Sequence, residues 1–263
     1  MEKNFETNTF AKRIISMLKV DARRLFTTPL FYVMAGISLV IPILILVMTT
    51  MTGGGEAATA GFDNIWQIFG SVSNTTADGN GATMGMDLVS MCNIDMMYFA
   101  IAVLVCIFVA DDFRSGYAKN LFTVRSKKTD YVISKTVIGF IGGATMLITF
   151  VIGALLGGKI AGLPFTMEAF NAGNFICSIL SKIFLVPIFV SIYVIASVTC
   201  KEKLWLSLLV SFGVGMFLFN IAPMVSPLDS GILNIILCIA GGAMFAVGLG
   251  AISNLILKKT NLV

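Results

Sequence analysis

Apolar runs with few or no charges alternate along this chain with short polar segments, and the length of the runs is the first thing they reveal. A bilayer core takes about 20 apolar residues at 1.5 Å rise each. Six runs qualify as spans, at 31–51, 96–110, 131–156, 175–199, 204–222 and 232–257. The second is short, so its helix is expected to start nearer Cys92 and to carry Asp95 at its outer end.

Two polar segments have helical periodicity of their own. In 10–26, Ile14, Leu18, Ala22 and Leu25 share one helical face, while Lys12, Ser16, Lys19 and Arg23 share the other. This pattern predicts an amphipathic helix in the inner membrane interface, its bases among anionic headgroups. Thr28-Pro29 should end that helix and turn the chain into the first span. The second segment, 111–135, puts Tyr117, Leu121 and Val124 on one apolar side, with Arg114, Lys119 and the bases of 125–128 around it. A short helix of this kind beneath the membrane suits docking into a groove of a soluble partner. The plainer reading is headgroup contact and topology alone.

The polar stretch 52–91 contains one apolar patch, Ile65-Trp66-Gln67-Ile68-Phe69, expected to rest on the outer interface. Asn74-Thr75-Thr76 fits a glycosylation acceptor but is assigned no role. A shorter outer loop covers 159–174. Runs four and five are joined by Lys201-Glu202-Lys203, and runs five and six by a turn around Ser226-Pro227, which predicts a compact bundle of the last three spans.

Composition agrees with the runs. Hydrophobic residues make up 57% of the 263 and charged ones 12%, against about 25% charged in soluble domains. Six of the 18 Lys and Arg fall in 111–135 and most others near the ends, while Lys159 alone stands on the opposite side against Glu56, Asp63, Asp78, Asp87, Glu168 and Asp229. The excess of bases places both termini and the 111–130 loop in the cytoplasm. The net charge of +4 therefore reports orientation and not nucleic-acid binding. The first run begins too late and is too long for a cleaved signal peptide, so it is expected to act as an anchor.

Candidate chemistry is sparse. The chain has no His, which removes the usual zinc and haem sites, and its five Cys are scattered. Cys92 and Cys177 both fall near the outer surface and stay open to pairing. The run Gly153 to Lys159 fits G-x-x-x-x-G-K, but it ends a span on the outer side, so its glycines are read as packing positions and not as a phosphate loop. Small residues also recur four apart at Gly139 and Gly143, and at Gly242, Ala246 and Gly250. These should pack helices within the bundle, or, for the last set, join two subunits. Pro42 and Pro187 should kink their helices. With no nucleotide site or nucleophile elbow, the chain is expected to be no enzyme and to bind no cofactor itself. Lys182, about two turns inside the fourth span, is expected to snorkel outward. The alternative is that it pairs with Asp95 or lines a translocation pathway, to which Asn220 is a weaker candidate.

The segment 111–135 resembles the cytoplasmic signature of permease subunits of the ABC-2 family of ABC transporters. The matching residues are Asp112, Phe113, Arg114, Ser115 and Gly116, then Lys119-Asn120-Leu121-Phe122, then Tyr131-Val132 and Lys135. Departures are Asp112 for the more usual Glu, Tyr117 where Thr is common, and Val124-Arg125 without the frequent Pro. The resemblance implies an all-α integral membrane protein in one permease domain, 1–263. It would have six transmembrane helices, an amphipathic elbow helix in the leader 1–30, an outer loop at 52–91 and a coupling helix in the cytoplasmic loop 111–130. It also implies that Asp112, Phe113, Arg114, Gly116, Tyr117, Lys119, Asn120, Leu121, Phe122 and Arg125 couple to a separate cytosolic ATP-binding subunit, which binds ATP and Mg. A second permease copy or paralogue and an amphipathic peptide cargo would complete an exporter in a bacterial cell membrane, similar to those for bacitracin, lantibiotics or phenol-soluble modulins. The other readings are a non-catalytic sensor or assembly module and, behind it, a secondary transporter.

Overall fold

The structure, a computed structural model, describes residues 10–52, 62, 64–70, 92–124, 128–167, 170–201 and 203–259. Bases such as Arg125 and Lys127, and most of 52–91, lie outside the described residues. The chain is an all-α, multi-pass membrane-spanning protein. Among the described residues five helices are long and apolar enough to cross a bilayer: α2 (Pro29–Thr52), α3 (Met97–Arg114), α5 (Lys128–Ala161), α6 (Ala172–Cys200) and α9 (Ile232–Lys259). Around them are α1 (Phe10–Thr27), α4 (Tyr117–Val124), α7 (Leu204–Phe219) and α8 (Ala222–Val225).

Local chemistry sets several of the boundaries. Thr28 separates α1 from α2, and Pro29 then takes the first position of α2, where its missing N–H costs nothing. Asn93 caps the 3-10 turn Ile94–Met96 that leads into α3, its side chain accepting from the Asp95 N–H at 3.0 Å. Gly116, at φ 72°, ends α3 in the left-handed region and lets α4 fold back at once. At 34 residues α5 is about 51 Å long, so it projects beyond a bilayer core. The fifth expected span is shorter than its apolar run. Its helix α7 has 16 residues, about 24 Å, and stops at Phe219; the chain then restarts as the single turn α8.

The centre is occupied by α6, which packs against α3, α5, α7 and α9. The last three spans do not form a mutual bundle, since α7 and α9 flank α6 and make their main contacts with it. Small residues set these approaches. A Cβ on Gly157 would stand 2.8 Å from Ile43 Cα, and one on Gly153 would collide with the Leu39 carbonyl. Gly139 and Gly143 likewise receive Val190 and Val186 of α6. Gly242 of α9 faces the Phe184 carbonyl, and a Cβ on Gly250 would lie 3.8 Å from Val132 of α5, so these two members of the small-residue set pack within this chain. Each intrahelical proline also meets a glycine, Pro42 at Gly153 and Pro187 at Gly242, and both helices run unbroken through them. A stripe on α7, Ser207, Ser211 and Gly215, seats it: Ser207 Oγ lies 2.8 Å from Ser197 Oγ, and Ser211 Oγ 3.2 Å from Cys106 Sγ.

The Ile65–Phe69 patch is not spread on the interface as expected. It forms a 3-10 turn inserted into the end of the bundle, with Ile65, Ile68 and Phe69 fully buried. Ile65 fills the notch at Gly158, and Trp66 packs edge-on against Phe165, Phe170 and Phe175. The Asn64 amide anchors the turn by donating to the Thr166 carbonyl at 2.7 Å. Burying four large apolar side chains is more favourable than leaving them in the headgroup region.

Glycine substitutions should separate packing from composition. Gly157→Leu is expected to destabilise the purified protein by about 1–3 kcal/mol through overpacking. Gly213→Leu, where nothing lies within 4 Å of the added carbon, should be near neutral; thermal unfolding in detergent checks both.

Candidate functional site

Two buried ion clusters stand at opposite ends of α3, about 25 Å apart along its axis. The first gathers Asp112, Tyr131 and Lys135 of the 111–135 segment. Asp112, on the last turn of α3, is fully buried and is met from three sides. Lys135 Nζ of α5 stands 2.7 Å from its Oδ2, the Tyr131 hydroxyl donates to the same oxygen at 2.9 Å, and Arg24 Nη1 of α1 is 2.6 Å from Oδ1. The Arg24 contact is an ion pair without hydrogen-bond alignment, because Asp112 Oδ1 has no hydrogen-bond partner. Lys135 also donates to Asp21 Oδ1 at 2.9 Å, and Ser134 to Asp21 Oδ2 at 2.6 Å.

Two acids and two bases thus cancel. The cations are further held by aromatic faces: Lys135 Nζ lies 4.1 Å from the Phe108 ring centroid, and the Arg24 guanidinium 4.2 Å from that of Tyr117. Burial works against the Arg24 charge, but Asp112 and then Asp21 outweigh it, so its pKa is raised. Burial, with Asp21 behind it, pushes the Tyr117 phenol up as well, so this residue adds no negative charge to the cluster. A second tie joins α1 to α5, with Arg13 Nε 3.2 Å from Asp130 Oδ2. Lys128 donates to the Leu257 carbonyl at 2.6 Å, tying the start of α5 to the end of α9.

The sequence pattern of α4 has the expected helix but the opposite use for its apolar side. Ala118 is buried, Tyr117, Leu121 and Phe122 are half-buried, and Phe122 stacks edge-on against Tyr131 at 5.4 Å. The face left in contact with the surroundings consists of Lys119, Asn120 and Thr123, with Arg114 and Ser115 of the turn. Phe113 is buried beside Tyr131 and serves the interior. Arg125 lies outside the described residues.

At the other end, Lys182 does not snorkel. Its ammonium is buried and donates to Asp95 Oδ1 at 2.8 Å, Asp95 Oδ2 at 3.0 Å and Ser226 Oγ at 3.2 Å, which fills its three donors. Tyr98 donates to the Lys182 carbonyl at 2.9 Å and stacks on Phe189. The inserted turn lies alongside this pair, since a Cβ on Gly70 would be 3.9 Å from Lys182 Nζ. Snorkelling loses because an acid sits within reach in the interior: once Asp95 is buried, leaving it unpaired costs more than holding the lysine inside. Asn220 is not part of this cluster. It is exposed at the end of α7 and donates to the Met216 carbonyl. All five cysteines, Cys92 and Cys177 included, are free thiols.

Asp21 is the residue that reading the sequence by periodicity passed over. It falls on the same face as Leu18, Ala22 and Leu25, and a lone acid on the apolar side of a basic helix signals a buried partner.

Removing one ion from either cluster should cost about 3–5 kcal/mol, because the partner is left buried and unpaired. Lys135→Met and Asp21→Asn are each expected to destabilise strongly, and the double variant to recover part of the loss. Lys182→Met with Asp95→Asn should follow the same pattern, read as a double-mutant cycle on thermal stability. Additive losses in either cycle would mean that the pair contributes no coupling.

The chain matches no family model, no curated protein and no solved structure in the comparisons made with each.

Proposed function

We propose that this chain is the permease subunit of an ATP-driven exporter, with α4 as the coupling helix and the α1 end of the bundle facing the cytoplasm. The observation that carries this reading is the attachment of the α3–α4 turn. Asp112 is gripped by α1 and α5 together, so a push on α4 cannot move α3 without moving both. A charge cluster of this strength in a low-dielectric setting behaves as a rigid joint.

Further support comes from charge and from the resemblance of 111–135 to ABC-2 permeases. Lys12, Lys19, Arg23, Arg114, Lys119, Lys201 and Lys203 lie toward the α1 end, whereas the opposite one has, among the described residues, Lys159 and the buried, Asp95-paired Lys182, as a positive-inside orientation requires. The ATPase would bind ATP and Mg and would meet the polar face Arg114, Lys119 and Asn120, not an apolar stripe. A second permease copy or paralogue would complete the path, and amphipathic peptides are the cargo that the resemblance favours. In this scheme Lys182 and Asp95 act as a closure on the far side of the path.

The test is co-purification. The chain should retain an active ATPase when isolated in mild detergent, and amphipathic helical peptides should stimulate its ATP hydrolysis. Lys119→Glu with Asn120→Ala, both on the exposed face, should reduce retention about tenfold or more while leaving thermal stability unchanged. Failure to retain any ATPase would favour the non-catalytic membrane module.

A further inference from the structure

The helix α1 has three faces, and only one of them is explained by the ion cluster. Met17, Asp21 and Leu25 are buried against the bundle. At 100° per residue, Ala11, Ile15, Ala22 and Phe26 form a neighbouring strip, of which Ile15 is 63% and Phe26 44% exposed. Beside that strip, and nearly opposite the buried face, lie Lys12, Lys19 and Arg23, all exposed.

The apolar strip is continuous with a lipid-facing surface. Tyr32 of α2 donates to the Phe26 carbonyl at 2.9 Å, and both Tyr32 and Val33 are exposed on a membrane-crossing helix. Tyrosine in that position marks the level of the headgroups. The basic strip therefore stands at headgroup depth, and among the described residues neither Lys19 nor Arg23 has an ion-pair partner. Being four apart on one helix, these two like charges repel each other, and an anion placed between them relieves the repulsion.

We propose that α1 is a sensor for anionic phospholipid. Phosphate headgroups of an anionic bilayer engage Lys19 and Arg23, hold α1 in the interface, and thereby set how firmly its Asp21 and Arg24 grip Lys135 and Asp112. The grip and the headgroup strip are on opposite faces of one 18-residue helix, so a change in how α1 seats on the bilayer reaches the α3–α4 turn directly. The charge match selects the occupant: a zwitterionic surface supplies no net attraction, whereas each base near an anionic surface gains about fivefold in binding. This inference concerns lipid and α1 alone and stands whether or not a partner ATPase exists.

Hydrogen exchange on the full chain in nanodiscs tests it. Discs of phosphatidylcholine alone are compared with discs containing equal parts of phosphatidylglycerol. Amides of 10–27, and with them those of 111–124, are expected to exchange several-fold more slowly with phosphatidylglycerol, and the difference should vanish at high salt. Lys19→Gln with Arg23→Gln should abolish the lipid effect in both segments. Asp21→Asn with Arg24→Gln, which removes both contacts of α1 with the cluster and leaves Lys135 paired with Asp112, should keep it in α1 but lose it in 111–124. Equal protection in the two lipids, or a lipid effect that survives the double Gln substitution, overturns the proposal; protection of α1 without any response at 111–124 overturns its transmission to the turn.

Discussion

A carboxylate removed from water must find a cation, and in this molecule that requirement decides where the helices go. Asp21 and Asp112 stand 91 positions apart in the chain, yet both are fully buried on one lysine, Lys135. Neither pair alone would compensate the loss of hydration well. Together with Arg24 they form a neutral quartet whose aromatic walls exclude water without removing favourable contacts for the cations. The amphipathic leader is thereby made part of the bundle, and the turn between α3 and α4 is fastened to it.

The opposite end solves the same problem more simply. One lysine and one aspartate pair there, a serine completes the ammonium's hydrogen bonds, and a 3-10 turn lies alongside. Between the two ends the helices are held by shape. Glycines accept a neighbour's backbone or a proline ring, and serines bond across helices, which is how apolar helices associate when the surrounding solvent is itself apolar. The interior is therefore ionic at its ends and steric in its middle.

These features bear on how the coupling segment would work. Its apolar residues are committed to the bundle, so under the proposed function contact with a soluble partner would fall to Lys119, Asn120 and Arg114, and such contacts would be weaker and more salt-sensitive than a buried apolar groove. The interior side of the same helix shares its aromatic neighbours with the ion quartet, Tyr117 through Arg24 and Phe122 through Tyr131. A displacement of α4 is thus passed to the charges of the quartet.

Hydropathy and charge alone determined that the chain is all-α and crosses a membrane several times, and they located α1, its break at Thr28-Pro29 and the short helix after Gly116. Those features are local, because a run of apolar residues or a proline acts through its own neighbours in the chain. The small-residue sets were legible too, since spacing of four is a property of one helix. What only the tertiary structure decided was partnership. Lys182 chose Asp95 over the interface, the Ile65–Phe69 patch entered the bundle, α4 turned its apolar side inward, and α7 ended at Phe219. Each outcome depends on which surface lies opposite, and periodicity carries no information about that; the energy of a buried ion or a buried aromatic is set by atoms far away in sequence.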